Sequence, residues 1–196
     1  MKNFTAIVFF ALAVTFNAIA AKPDTQDSNL YPRVKLETTL GDIVIELNRR
    51  KAPITVKNFI DYVVKGEYNN TIIHRVVPNF VVQGGGYDNE FNERPTGEKI
   101  FNESGNGLKN DRMSVAMARM SDPHSAIRQF YFNLQDNNNL NPGRDWGYTV
   151  FGYVESGEDV VEKMAEVETH YSSEFGAPDV PVKAIVIKVA TLLPQG

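Results

Sequence analysis

Cysteine is absent from the chain. That excludes a disulfide framework, thiol catalysis and every thiolate metal site, so the fold must stand on its core alone. Histidine is scarce: His74, His124 and His170 lie far apart, with no H-x-x-x-H or H-E-x-x-H spacing, and no recognisable metal-ligand pattern results. Basic runs are missing too. Lys2 is the only charged side chain among the first twenty residues, leaving 19 basic residues beyond it, one fewer than the 20 of the whole chain, against 24 acidic ones. So acidic a balance argues against nucleic acid as a partner.

What is present begins with MKNFTAIVFFALAVTFNAIA, a single lysine, an apolar run and then A-I-A. This is the pattern of a secretory signal peptide over residues 1–20, with cleavage after Ala20 or Ala21. The run is broken by Thr5, Thr15 and Asn17 and is marginal in length for a bilayer span, which takes about twenty residues, so an uncleaved N-terminal anchor is the lesser alternative. Residues 21–32, AKPDTQDSNLYP, carry no apolar period and read as a flexible leader. The domain is expected over 33–194, long enough for one core.

RVKLETT sets Val34, Leu36 and Thr38 against charges, and DIVIELN sets Ile43, Ile45 and Leu47 against Asp42, Val44 and Glu46. With Leu40-Gly41-Asp42 as the turn, this predicts a hairpin with one wet face. Pro53 opens a helix of about three turns whose face is Val56, Phe59, Ile60, Val63 and Val64, stopped by Gly66. Strand-like runs follow at 71–76, 80–84, 112–118, 129–133, 149–154 and 182–190, and a second helix at Asp159–Glu166. The connections at 86–112 and 136–147 read as too polar for core and as loops able to carry binding. Gly84-Gly85-Gly86 lacks phosphate-loop order and reads as a close backbone approach. Acceptor patterns for glycosylation at Asn69 and Asn102 are common enough by chance to carry no weight.

The stretch IIHRVVPNFVVQGGG at 72–86 puts an arginine and a glutamine inside an apolar run. Pro78-Asn79 divides it into two adjacent strands, so Arg75 and Gln83 can meet beside valine and phenylalanine. Alternation alone leaves two readings, a solvated edge arginine and a functional groove.

IHRVVPNFVVQGG also resembles, almost position by position, the F-H-R-hydrophobic-hydrophobic-P-x-F-hydrophobic-hydrophobic-Q-G-G signature of cyclophilin-type peptidyl-prolyl isomerases. MSVAMAR at 113–119, SAIRQFYFN at 125–133 and TVFGYV at 149–154 resemble further blocks of that family, in order, from about Arg33 to Leu193. The resemblance implies a mainly β fold, a closed eight-stranded antiparallel barrel capped by two helices. It implies isomerisation of X-Pro bonds in proline-containing polypeptides, without metal or cofactor, by a periplasmic or secreted monomer free of the membrane after signal cleavage. A catalytically weak proline-peptide-binding module or chaperone is the alternative.

Residue by residue, Arg75 matches the family's catalytic arginine and Gln83 its substrate-binding glutamine. Phe80, Val81, Tyr131 and Leu140 match the proline pocket, where the family more often has methionine at the Val81 position and phenylalanine at the Tyr131 position. Ala118 and Arg119 match the segment whose backbone grips the peptide, Gln129 lines the neighbouring groove, and Tyr148 stands where many members have histidine. Asn139 occupies the position of the tryptophan of cyclosporin-sensitive members, so weak cyclosporin binding is expected. Arg128 replaces a usual serine.

Overall fold

The computed structural model describes residues 24–195. The signal-peptide reading of residues 1–20 and the cleavage point at Ala20 or Ala21 lie outside them. Ten strands and two helices follow in the order β1 Arg33–Thr38, β2 Asp42–Leu47, α1 Pro53–Val64, β3 Thr71–Val77, β4 Val81–Gly84, β5 Ser114–Met117, β6 Phe130–Asn133, β7 Val150–Ser156, α2 Glu158–Ala165, β8 Thr169–Ser172, β9 Ala177–Pro181 and β10 Ile185–Leu192. Eight strands close into an antiparallel barrel in the order β1-β10-β3-β4-β6-β5-β7-β2. The two strands outside the barrel, β8 and β9, pair only with each other among the described residues, a hairpin the sequence reading does not contain.

Alternation builds the wall. In β2, Ile43, Ile45 and Leu47 are buried and their neighbours are not, as period-two patterning requires. Gly41 turns β1 into β2 at φ +137, and a Cβ there would lie 2.7 Å from Val160 of α2, so only glycine lets the helix lean on the turn. The predicted close approach at the triple glycine is present: a Cβ on Gly84 would sit 2.6 Å from Ile73 Cδ1 and 2.9 Å from the Ile72 carbonyl.

Helix α1 buries Val56, Phe59, Ile60 and Val63 with Thr55 and Tyr62. Phe59 packs against Tyr68, Phe130 and Phe151 at 5.0–5.4 Å between ring centroids. Truncating so enclosed a phenylalanine typically costs about 3–5 kcal/mol. The helix has no side-chain cap of its own; instead Glu103, from the 86–112 connection, accepts the Ile54 and Thr55 N–H groups at 3.1 and 2.9 Å. A carboxylate there satisfies orphan donors and complements the helix dipole.

Two polar segments are better anchored than their composition foretells. Residues 24–32 are fastened to the barrel by Arg49, which donates to the Asn29 and Thr25 carbonyls at 3.0 and 2.9 Å, while Gln26 donates to the Leu193 carbonyl. The long connections, expected outside the core, place Asn102, Ser104, Asn110 and Asn137 below 5% exposure. They are admitted because each is hydrogen-bonded: Asn137 donates to Asn133 and to the Phe80 carbonyl, and Asn110 accepts from Tyr131 and Asn133.

Candidate active site

The β3–β4 hairpin is the start of the site. Phe80 N–H closes onto the Val77 carbonyl at 3.0 Å, with Pro78 and Asn79 as the central residues and Asn79 at φ +55, the arrangement of a type II turn. Its register sets Val77 opposite Val81, Val76 opposite Val82, and Arg75 directly opposite Gln83. Between Ile73 and Arg75 the register slips by one residue, so His74 is the extra residue of a β-bulge. Bulges re-aim side chains. Ile73 and Val76 both belong to the central core, while Arg75 between them is partly exposed: the bulge has turned Arg75 outward.

His74 is left 4% exposed, edge-on to Tyr87 and Phe175, and its Nδ1 has no hydrogen-bond partner. Burial, assisted by the adjacent Arg75 charge, pushes its pKa from 6.5 down to about 4. It is therefore neutral at ordinary pH.

Above this hairpin lies a recess of about 160 Å³ lined by Arg75, Phe80, Val81, Gln83, Ala118, Arg119, Tyr131, Leu140 and Tyr148. Nine of the ten residues singled out from the sequence thus meet in one place. Gln129, the tenth, lines an adjoining recess of about 180 Å³ that shares Gln83, Ala118 and Arg119 with the first. Val81, Tyr131, Ala116 and Val150 form a small apolar cluster of their own, with Phe80, Leu140 and Tyr148 packed against it. The recess is a slot with an apolar cluster at its base and the polar side chains Arg75, Gln83 and Arg119 among its lining.

Its walls are held from behind. The Tyr131 hydroxyl donates to Asn110 Oδ1 at 2.8 Å, and burial raises the phenol well above its ordinary pKa, so it stays a neutral donor. Arg119 lies over the Tyr148 ring at 4.5 Å and donates to the Trp146, Gly147 and Met120 carbonyls. Its guanidinium ties the 141–147 loop to the groove. The Ala118 N–H already serves the Gln129 carbonyl at 2.9 Å, so a peptide cannot use it. Among the described residues Arg75 has one ionic neighbour, Asp179 of β9, at 3.7 Å from its Nε.

Asn139 sits exposed in a short 3-10 turn, 138–140. Trp146 is edge-on to Phe101 and His124 and does not line the recess. Arg128 is 2% exposed and donates to the carbonyls of Gly85, Pro95 and Glu67, with Tyr62 and Tyr68 stacked near its guanidinium. Sequence pattern gave no sign of that burial or of the Asp179 contact. Among the described residues, no group of three or more His, Asp or Glu side chains is placed to hold a metal ion, and no helix is long and apolar enough to cross a membrane.

A model of the family described as cyclophilin type peptidyl-prolyl cis-trans isomerase/CLD matches residues 33–191. The chain belongs to this family. Among cyclophilins it is similar to a peptidyl-prolyl cis-trans isomerase of Acinetobacter baylyi, 49% identical over 194 residues and 98% of each chain. Peptidyl-prolyl cis-trans isomerase B of Escherichia coli is 47% identical over 163 residues, covering 81% of this chain and 98% of that one. A crystal structure of a Cryptosporidium parvum cyclophilin, determined in the presence of the dipeptide Ala-Pro, superposes with a TM-score of 0.68 at 25% identity, covering 83% of this chain and 99% of that one. The cyclophilin barrel expected from the sequence, with its eight strands and two helices, is the one observed.

Proposed function

We propose that this cyclophilin accelerates rotation about X-Pro bonds in exported, unfolded or surface-exposed polypeptides, with Arg75 as the donor to the prolyl nitrogen. One observation carries the reading: Arg75 lies on the rim of the same recess whose walls are Phe80, Val81, Tyr131 and Leu140. The exported location is supported by the pattern of residues 1–20.

The reaction breaks no covalent bond. An amide resists twisting because its nitrogen lone pair is delocalised, with a barrier near ~20 kcal/mol and unassisted times of about tens to hundreds of seconds for X-Pro. In the twisted state the lone pair localises and accepts a hydrogen bond that the planar amide cannot. A guanidinium, permanently charged, donates to it only there, which lowers the barrier without tightening the ground state. Such a bond is worth about 1.5–3 kcal/mol, roughly ten- to a hundredfold in rate.

The rest comes from the slot and the clamp. The planar amide is the more charge-separated form and loses more when water leaves, which the apolar walls enforce. Gln83, the Ala118 carbonyl and the Arg119 backbone hold the flanking chain while one side turns.

The test is two-dimensional exchange NMR on a proline peptide with the wild-type protein and Arg75→Ala. Fast exchange with the first and loss of most of it with the second is expected. Undiminished exchange with Arg75→Ala would remove the arginine from the mechanism, and peptide binding with no acceleration by either protein would identify a binding module.

A further inference from the structure

The β8–β9 hairpin adds nothing to the barrel sheet, yet it lies against β3. Its turn inserts Phe175 among Tyr87, Phe91 and His74, with ring centroids at 4.7, 5.1 and 5.8 Å, and its Val180 is buried. The hairpin is therefore fixed to the strand that carries Arg75. Between the buried Val180 and the exposed Pro178, Asp179 adopts φ +63. That left-handed conformation is avoided by most L-residues and tolerated best by Asn and Asp. Strained residues of this kind cluster at functional sites.

The strained residue is the one whose carboxylate faces Arg75, Oδ2 lying 3.7 Å from Nε. Both side chains are a little over a third exposed, so the pair contributes little to stability. Its value lies in direction. A guanidinium on a flexible stem samples many rotamers, but a carboxylate beside Nε holds one edge of the plane and leaves the Nη groups for another acceptor.

We propose that Asp179 is a positioning residue for Arg75, orienting the guanidinium so that its Nη edge serves the recess. The inference rests on Arg75 being the donor. Asp179 fixes one long side chain in advance of the twist, and catalysis gains from that pre-organisation through kcat. The apolar pocket is untouched, so ground-state affinity is not affected.

Asp179→Asn is the clean variant, because asparagine keeps the left-handed backbone while losing the charge. Exchange NMR with a proline peptide, thermal unfolding and the Arg75 Nε–Hε resonance are measured for wild type, Asp179→Asn and Arg75→Ala. In Asp179→Asn, kcat is expected to fall about three- to fivefold, the size of one exposed ion pair written as a rate, with KM unchanged and the Arg75 resonance moved toward its free position. Melting should be unaltered. If Arg75→Ala abolishes acceleration while Asp179→Asn keeps full kcat, or loses kcat without a change at the Arg75 resonance, the positioning role is overturned and the donor role stands. If Arg75→Ala remains fully active, the donor reading fails and Asp179 with it.

Discussion

Gln83 Nε2 donates to Gln129 Oε1 across 2.9 Å, joining a residue of the hairpin beside the slot to one of the adjoining groove. Gln83 lines both recesses, so its side chain is the shared partition, and Gln129 decides which way its amide faces. The Gln129 side chain is itself pressed onto Gly86, where a Cβ would come within 2.7 Å of it.

Gln129→Ala is therefore expected to free the Gln83 amide and loosen the hold on flanking peptide. KM should rise about three- to fivefold, the worth of one neutral hydrogen bond, with kcat changed far less. Progress curves on a proline peptide at several concentrations check it. A fall in kcat at constant KM would place Gln83 in the twisting step itself.

Arg128→Met keeps the length of the side chain and removes every donor. The Gly85 carbonyl would then be left buried and unpaired and the part-buried carbonyls of Pro95 and Glu67 would lose their donor, so about 1–3 kcal/mol of stability should go, roughly 5 °C in melting temperature. Arg128→Lys should fall between, since one ammonium cannot reach three carbonyls in a plane. Thermal unfolding followed by circular dichroism is the measurement.

His74 gives the stability a pH signature of its own. Its imidazole sits at about 4 in the folded protein against 6.5 in the ordinary state, so between those values the unfolded chain binds more protons. The stabilisation is fully present above pH 6.5 and is lost as pH falls through that window, reaching about 3 kcal/mol near pH 4. In His74→Phe the ring packing is retained and this component should vanish. Urea midpoints at pH 7.5 and 4.5 for both proteins isolate it, because acid titration of carboxylates affects the two alike.

Cyclosporin should bind weakly, in the micromolar range or above. Asn139 is exposed in the short turn that ends at Leu140, and the indole of Trp146 is engaged with Phe101 and His124. No indole N–H is available beside the pocket. A calorimetric titration giving nanomolar affinity would contradict this.

Alternation and turn chemistry made the hairpin of Val34 to Leu47, the face of α1 and the pairing of Arg75 with Gln83 readable in the chain, because each is decided by residues a few positions apart. The second helix begins at Glu158, one residue before the expected Asp159, as its polar first turn gives no apolar signal. The β8–β9 hairpin escaped because its strands have four and five residues with little apolar alternation. Asn110, Asn133 and Asn137 look like turn formers in sequence; only the closed barrel shows them satisfying one another beneath Tyr131. Arg128 was hidden for the same reason, since its partners are backbone carbonyls contributed by three distant segments.

The extra residue at His74 has a wider meaning. Before it the odd-numbered side chain Ile73 serves the interior, and after it the even-numbered Val76 does, so one added residue reverses which half of the strand looks inward. Were the extra residue paired in regular alternation instead of bulged out, Arg75 would share the inward face with Ile73 and a permanent cation would be driven into the hydrocarbon centre. How one surplus residue is absorbed, more than the identity of any neighbour, decides whether this wall is inert scaffold or working surface.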